Sequence, residues 1–162
     1  MKTKPILIVA GEPNSIFLEI FFKSLKKKIK SPIILISSLK LLISNMKKYK
    51  FSKKIKKENL KSIKKENLSN NSINIINIDD FQIQSKKNID FIKKCFELSL
   101  KILKTGVTNK FINGPINKET FLRKSYPGIT EYIARKTKTK EYAMLIYNKN
   151  LSVCPITTHI PL

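Results

Sequence analysis

Four short stretches carry residue types from which a reaction site can be built: GEP at residues 11–13, NGPINK at 113–118, PGITE at 127–131 and TTHIPL at 157–162. His159, in the last of them, is the only histidine among 162 residues. Its imidazole has two readings, a hydrogen-bonded side chain or a metal ligand. A metal site needs three or four ligands converging in space, and the chain offers no second imidazole.

The other three stretches have the same double character. In GEP, Gly11 lets the backbone turn and Pro13 fixes it. That puts Glu12 at the carboxyl edge of a sheet, where open α/β folds bind ligands; a tight connection carrying an exposed acid is the plainer reading. In NGPINK, backbone N–H groups and Lys118 near a helix start can receive a phosphate. Lysine is so abundant here that Lys118 alone decides nothing. In PGITE, Thr130 stands at an expected helix N-cap, so its hydroxyl either satisfies an orphan N–H or reaches a substrate phosphate at the same helix end.

The elements that must position these residues follow from the apolar pattern, in which short β-branched runs alternate with longer helical periods. This predicts an α/β fold. Strands are expected at residues 6–10, 33–36, 73–78 and 110–112, the first two buried on both faces because they do not alternate. Ser15 or Asn14 is expected to cap a helix through Ile16, Ile20, Phe21 and Leu25, and a short helix to run over Leu39, Leu42, Ile43 and Met46. Ile89, Ile92, Phe96, Leu100 and Leu103 form one apolar stripe of a long helix, with Gly106 placed as its C-cap glycine. Helices start near Lys118 and at Thr130, and residues 142–156 read as a hairpin turning at Asn148-Lys149-Asn150.

Residues 47–71 differ in being lysine-rich and poor in large apolar residues, with IKKENL occurring at 55–60 and again at 63–68. The segment reads as a partly helical surface insertion. Its alternative is a basic arm whose Tyr49 and Phe51 stack on a nucleic-acid strand.

The length suits one compact domain able to bury about two-thirds of its unfolded surface. A hydrophobic fraction of 41% argues against a disordered chain. Thirty-three Lys+Arg against 11 Asp+Glu leave a net charge of +22, a field that attracts phosphate-rich partners. Only Arg123 and Arg135 are arginines, however, and arginine is the residue suited to bidentate phosphate and base recognition. An excess of Lys, Ile and Asn together is what AT-rich coding produces, so compositional drift is preferred over nucleic-acid binding. Cys95 and Cys154 form no disulfide framework, which fits a reduced, cytoplasmic compartment. ILIVA leads straight into GEP without a cleavage site, and IILISSLKLLI carries Lys40 and falls short of the ~18 residues of a membrane span, so neither a signal peptide nor a membrane segment is expected.

Taken in order, ILIVAGEPNSI, FINGPINK, GITEY and LSVCPITTHIPL resemble the 4-hydroxythreonine-4-phosphate dehydrogenase (PdxA) family. They are similar to its G-E-P-x-G-I turn, T-G-P-x-x-K loop, G-H-T-E segment and A-T-T-H-x-P-L sequence. The resemblance implies an α/β fold like that of isocitrate and isopropylmalate dehydrogenases, in α/β/α layers, of which this chain is the N-terminal part, carrying a lysine-rich insert at residues 47–71. It implies a homodimer, NAD or NADP as cofactor, and a divalent metal (Zn, Mg or Co). His159 falls on the first of three metal-binding histidines, with the other two expected beyond Leu162. Thr130 falls on a substrate-binding threonine, and Lys118 on the loop lysine, near the substrate phosphate.

The implied reaction belongs to pyridoxal 5′-phosphate biosynthesis. It oxidises 4-phosphooxy-threonine to a 3-keto acid, which decarboxylates to 3-amino-2-oxopropyl phosphate. By itself this chain is expected to be inactive. Ile129 replaces the family's substrate-binding histidine and cannot donate to a phosphate. Ser15 and Phe17 replace glycines after GEP, and the loop between Lys118 and Thr130 is short. A related dehydrogenase acting on another phosphorylated or acidic substrate is therefore the first alternative, and a lysine-rich nucleic-acid-binding module the second.

Overall fold

The computed structural model describes residues 3–78, 85–122 and 125–156, which divide into two compact units, residues 1–117 and 118–162. The first is built on five strands: β1 (Ile6–Val9), β2 (Ile33–Ser37), β3 (Lys54–Lys57), β4 (Ser72–Asn77) and β5 (Phe111–Asn113). All pair in parallel, in the order β3-β4-β2-β1-β5. Its helices are α1 (Phe17–Leu25), α2 (Leu39–Lys48) and α3 (Ser85–Lys104).

Register assigns the two faces. Ile8 lies beside Leu35, and Leu35 beside Ile75, so the three share a face. There they pack with Leu18, Phe21 and Phe22 of α1 and Leu42 of α2. Leu7, Val9, Ile34 and Ile36 alternate to the opposite face. Phe111, opposite Leu7, meets Phe96 of α3 edge-on at 5.9 Å between ring centroids. The sheet is thus covered on both sides, which is why β1 and β2 are continuous apolar runs.

The buried side of α3 is wider than the expected stripe. Phe91, Cys95, Ser99 and Ile102 are buried along with Ile92, Phe96 and Leu100, whereas Ile89 and Leu103 are only half-buried. A helix packed over two strands presents more than one row of side chains. Gly106, at φ +74°, ends it as expected.

Residues 47–71 are more than a surface insertion. They supply the edge strand β3, and Ile63 and Leu68 are buried. Phe51 stacks on Phe22 at 4.6 Å with 14° between planes, and Tyr49 meets the same ring edge-on at 6.2 Å. Both aromatic residues are therefore core packing and not a stacking platform for bases. Lysine suits this position because it protects a sheet edge from pairing with another chain.

The second unit contains α4 (Lys118–Leu122) and α5 (Ile129–Thr137). Tyr132 is its centre, with the Phe121 and Tyr126 rings each 5.2 Å away. Of the expected hairpin, the described residues keep a single antiparallel bridge, Ile146 with Val153, closed by Asn148 N–H donating to the Leu151 carbonyl at 3.1 Å. Leu145, Ile146, Tyr147 and Leu151 stay exposed, so this segment has no packed face to hold a longer ladder.

Candidate functional site

Strand order locates the ligand edge. From β1 the chain crosses to β2 on one side, and it later places β5 on the other side of β1. In open α/β sheets that reversal opens a crevice at the carboxyl ends of the two flanking strands, where ligands bind. The loops leaving β1 and β5 are GEP and NGPINK.

The structure joins these two loops. Gly114 N–H donates to the Val9 carbonyl at 2.7 Å, and Glu12 N–H to the Pro115 carbonyl at 2.8 Å. The half-buried Glu12 carboxylate accepts the Asn117 N–H at 3.3 Å, and Asn113 Nδ2 donates to the Gly114 carbonyl at 3.1 Å. Glu12 is thus a strut between loops, closer to the plain connection than to a free acid. Asn113 and Asn117 were not singled out from the sequence. Asn117 reaches Glu12 only because β1 and β5, about a hundred residues apart, are neighbours, whereas Asn113 bonds the residue that follows it.

Both glycines are required by this approach. Gly11 has φ +72°, and a Cβ on it would overlap the Pro115 carbonyl oxygen and lie 2.8 Å from the Gly114 carbonyl carbon. A Cβ on Gly114 would stand 2.7 Å from the Ala10 carbonyl carbon and 2.9 Å from Phe17 Cδ2. Phe17 thus fills the space beside Gly114. Ser15 is not the N-cap of α1, a position held by Ile16. Its hydroxyl donates to the Glu12 carbonyl at 2.7 Å and accepts the Phe17 N–H at 3.3 Å, one residue ahead of the usual cap.

In the second unit Lys118 opens α4 and is exposed, with no carboxylate partner among the described residues. Thr130 differs from expectation. The N-cap of α5 is Gly128, whose carbonyl accepts the Tyr132 N–H at 3.1 Å, and Thr130 lies inside the first turn. Its half-buried hydroxyl has no hydrogen-bond partner among the described residues, so capping does not account for it. Ile129, the first residue of α5, is also half-buried. His159 lies outside the described residues. Among them, no group of three His, Cys, Asp or Glu side chains converges on a point, so they do not by themselves form a cation site.

Residues 25–162 match the model of the family described as pyridoxal phosphate biosynthetic protein PdxA. The chain belongs to the PdxA family. The match includes the NGPINK, GITEY and TTHIPL segments, and GEP lies just ahead of it. The 4-hydroxythreonine-4-phosphate dehydrogenase of Sulfurihydrogenibium sp. is 31% identical over 166 residues, which is 97% of this chain and 50% of that protein. The D-threonate 4-phosphate dehydrogenase of Salmonella typhimurium is 24% identical along the whole chain and 53% of its own length. A crystal structure of 4-hydroxythreonine-4-phosphate dehydrogenase from Klebsiella pneumoniae matches with a TM-score of 0.76 at 26% identity, covering 99% of this chain and 52% of that one. The chain spans about half the length of these PdxA relatives. The fold comparison agrees with the α/β architecture expected from the sequence, and the structure adds that the sheet is parallel.

Proposed function

We propose that the chain is part of a dehydrogenase that oxidises a hydroxyl of a four-carbon hydroxy acid carrying a terminal phosphate, 4-phosphooxy-threonine being the first candidate. The observation that carries this reading is the end-to-end likeness to the Sulfurihydrogenibium enzyme. The crevice between β1 and β5 fits it, lying where α/β folds take ligands.

In this reading Thr130 and Lys118 are substrate-binding residues. The Thr130 hydroxyl is in the first turn of α5, where N–H groups and the helix dipole favour an anion. Lys118 adds a point charge suited to phosphate. Ile129 contributes only an apolar surface. NAD or NADP receives the hydride, and His159 supplies one imidazole to a divalent cation (Zn, Mg or Co), a role supported by the likeness of TTHIPL to A-T-T-H-x-P-L. The active form is a cytoplasmic homodimer. Among the described residues no helix is long and apolar enough to cross a membrane.

D-threonate 4-phosphate is the second candidate, favoured by the whole-chain match to an enzyme of that name. It shares the phosphate and carries a hydroxyl in place of the amine. The test offers both compounds to the protein encoded by the whole gene, with each nicotinamide cofactor and each metal, and follows NADH or NADPH. Turnover of one compound assigns the substrate, and the Ile129→His variant shows whether that position sets the choice. Failure to oxidise either compound would overturn the reading.

A further inference from the structure

The first unit contains a cavity of about 610 Å³ at the amino-terminal ends of β2 and β4, at the opposite end of the strands from the Gly11 and Gly114 loops. Five lysines line it, Lys26, Lys27, Lys28, Lys30 and Lys53, and no carboxylate does. None of the five has an acidic partner among the described residues. Lys26, at the C-cap of α1, complements the negative end of that helix, but Lys28, Lys30 and Lys53 have no such use.

The walls are held by the protein's own hydrogen bonds. The Lys30 carbonyl accepts from Thr3 Oγ1 at 2.8 Å and from Asn70 Nδ2 at 3.0 Å, tying the segment after α1 to the one before β4. Below them, fully buried Asn74 donates to the Ile33 carbonyl at 2.8 Å and the Ser69 carbonyl at 2.9 Å, and accepts the Ser69 N–H at 3.0 Å. Such a frame lowers the ordering cost of binding.

We infer that this cavity binds a small anion carrying two or more phosphate groups. Its volume falls in the ordinary range of ligand sites, about 300–1,000 Å³, but its lining is cationic where most such sites are apolar. Five lysines around one cavity, with no carboxylate among its lining residues, raise the local positive potential, which a multiply charged phosphate offsets at several of them together. A nucleic-acid strand fits less well, because Tyr49 and Phe51 are packed against Phe22 and offer no face for bases.

The test is calorimetric titration of the whole chain with inorganic triphosphate at about 0.15 M salt, where distant surface charges are screened. One equivalent is expected to bind. The Lys28→Gln/Lys30→Gln/Lys53→Gln variant should weaken binding by about tenfold or more, and Lys101→Gln/Lys104→Gln/Lys140→Gln, remote in sequence from this cavity, by less than about threefold. In the unmodified chain, triphosphate should shield Lys28, Lys30 and Lys53 from amine acylation, read by mass spectrometry, and leave Lys101 and Lys104 reactive. Equal weakening by both variants, several equivalents per chain, uniform shielding or no binding would each overturn the inference. So would tight binding of an RNA oligonucleotide that survives the cavity substitutions.

Discussion

Gly11 and Gly114 interlock at the carboxyl ends of β1 and β5, each occupying space that the other loop's backbone leaves only to a residue without a side chain. The clash at either position is against backbone, which cannot rotate away as a side chain would. Gly114→Ala should therefore lower stability by about 3 kcal/mol, at the upper end of overpacking effects, as read from the urea midpoint. Gly11→Ala adds the strain of a positive φ to a similar clash and should be at least as damaging.

Asn74 is the polar residue on which the β2–β4 end of the sheet depends. Replacing it with alanine removes three hydrogen bonds and leaves the Ile33 carbonyl and the Ser69 N–H short of a partner. The expected loss is about 2–3 kcal/mol, measured by denaturant unfolding. A loss below about 0.5 kcal/mol would mean that water replaces the amide.

Cys95 and Cys154 should behave as opposites. Cys95 is buried in α3 and Cys154 is exposed, so a thiol-reactive dye should label one sulfur in the folded chain and both after denaturation. Burial pushes the Cys95 thiol up from its ordinary value of 9.0. The folded chain then keeps a proton that the unfolded chain loses. Its contribution to stability is full below pH 9 and declines as pH rises, by up to about 1.4 kcal/mol per pH unit. Cys95→Ala should remove that part of the alkaline slope.

Residues 47–71 should prove indispensable to the fold. A Gly-Ser linker in place of 50–70 deletes β3, the Phe51 stack on Phe22 and the Ser69 contacts to Asn74. Circular dichroism should show a broad, non-cooperative melt or a loss above about 3 kcal/mol. A sharp melt at the original temperature would restore the view of this segment as a solvated arm.

Thr130 separates binding from stability. Because Gly128 is the N-cap, Thr130→Ala should shift stability by less than about 0.5 kcal/mol. In the protein encoded by the whole gene the same change should raise KM for the phosphorylated substrate by about tenfold, the equivalent of one lost hydrogen bond to a charged group. Thr130→Ser, which keeps the hydroxyl, should stay close to the original. Equal effects of alanine and serine would assign Thr130 a packing role.

Much was legible in the residues themselves, because local pattern reflects local burial. The short unalternating β-branched runs around Leu7 and Ile34 read as strands covered on both faces, and the 3.6-residue period up to Leu103, closed by Gly106, as a long helix. The family too was readable from four ordered segments. Other features had no local signal. The pairing of β1 with β5 brings Glu12 to Asn117 and Gly11 to Gly114 across about a hundred residues. Strand β3 is nearly all lysine, and only its parallel register with β4 makes it a strand. The hydroxyl of Thr130 was released from capping by a backbone turn that places the N-cap at Gly128, two residues ahead of it. Side-chain type and spacing report which face of an element is buried; which elements become neighbours, and so which residues meet in one crevice, is decided by the packing of the whole sheet.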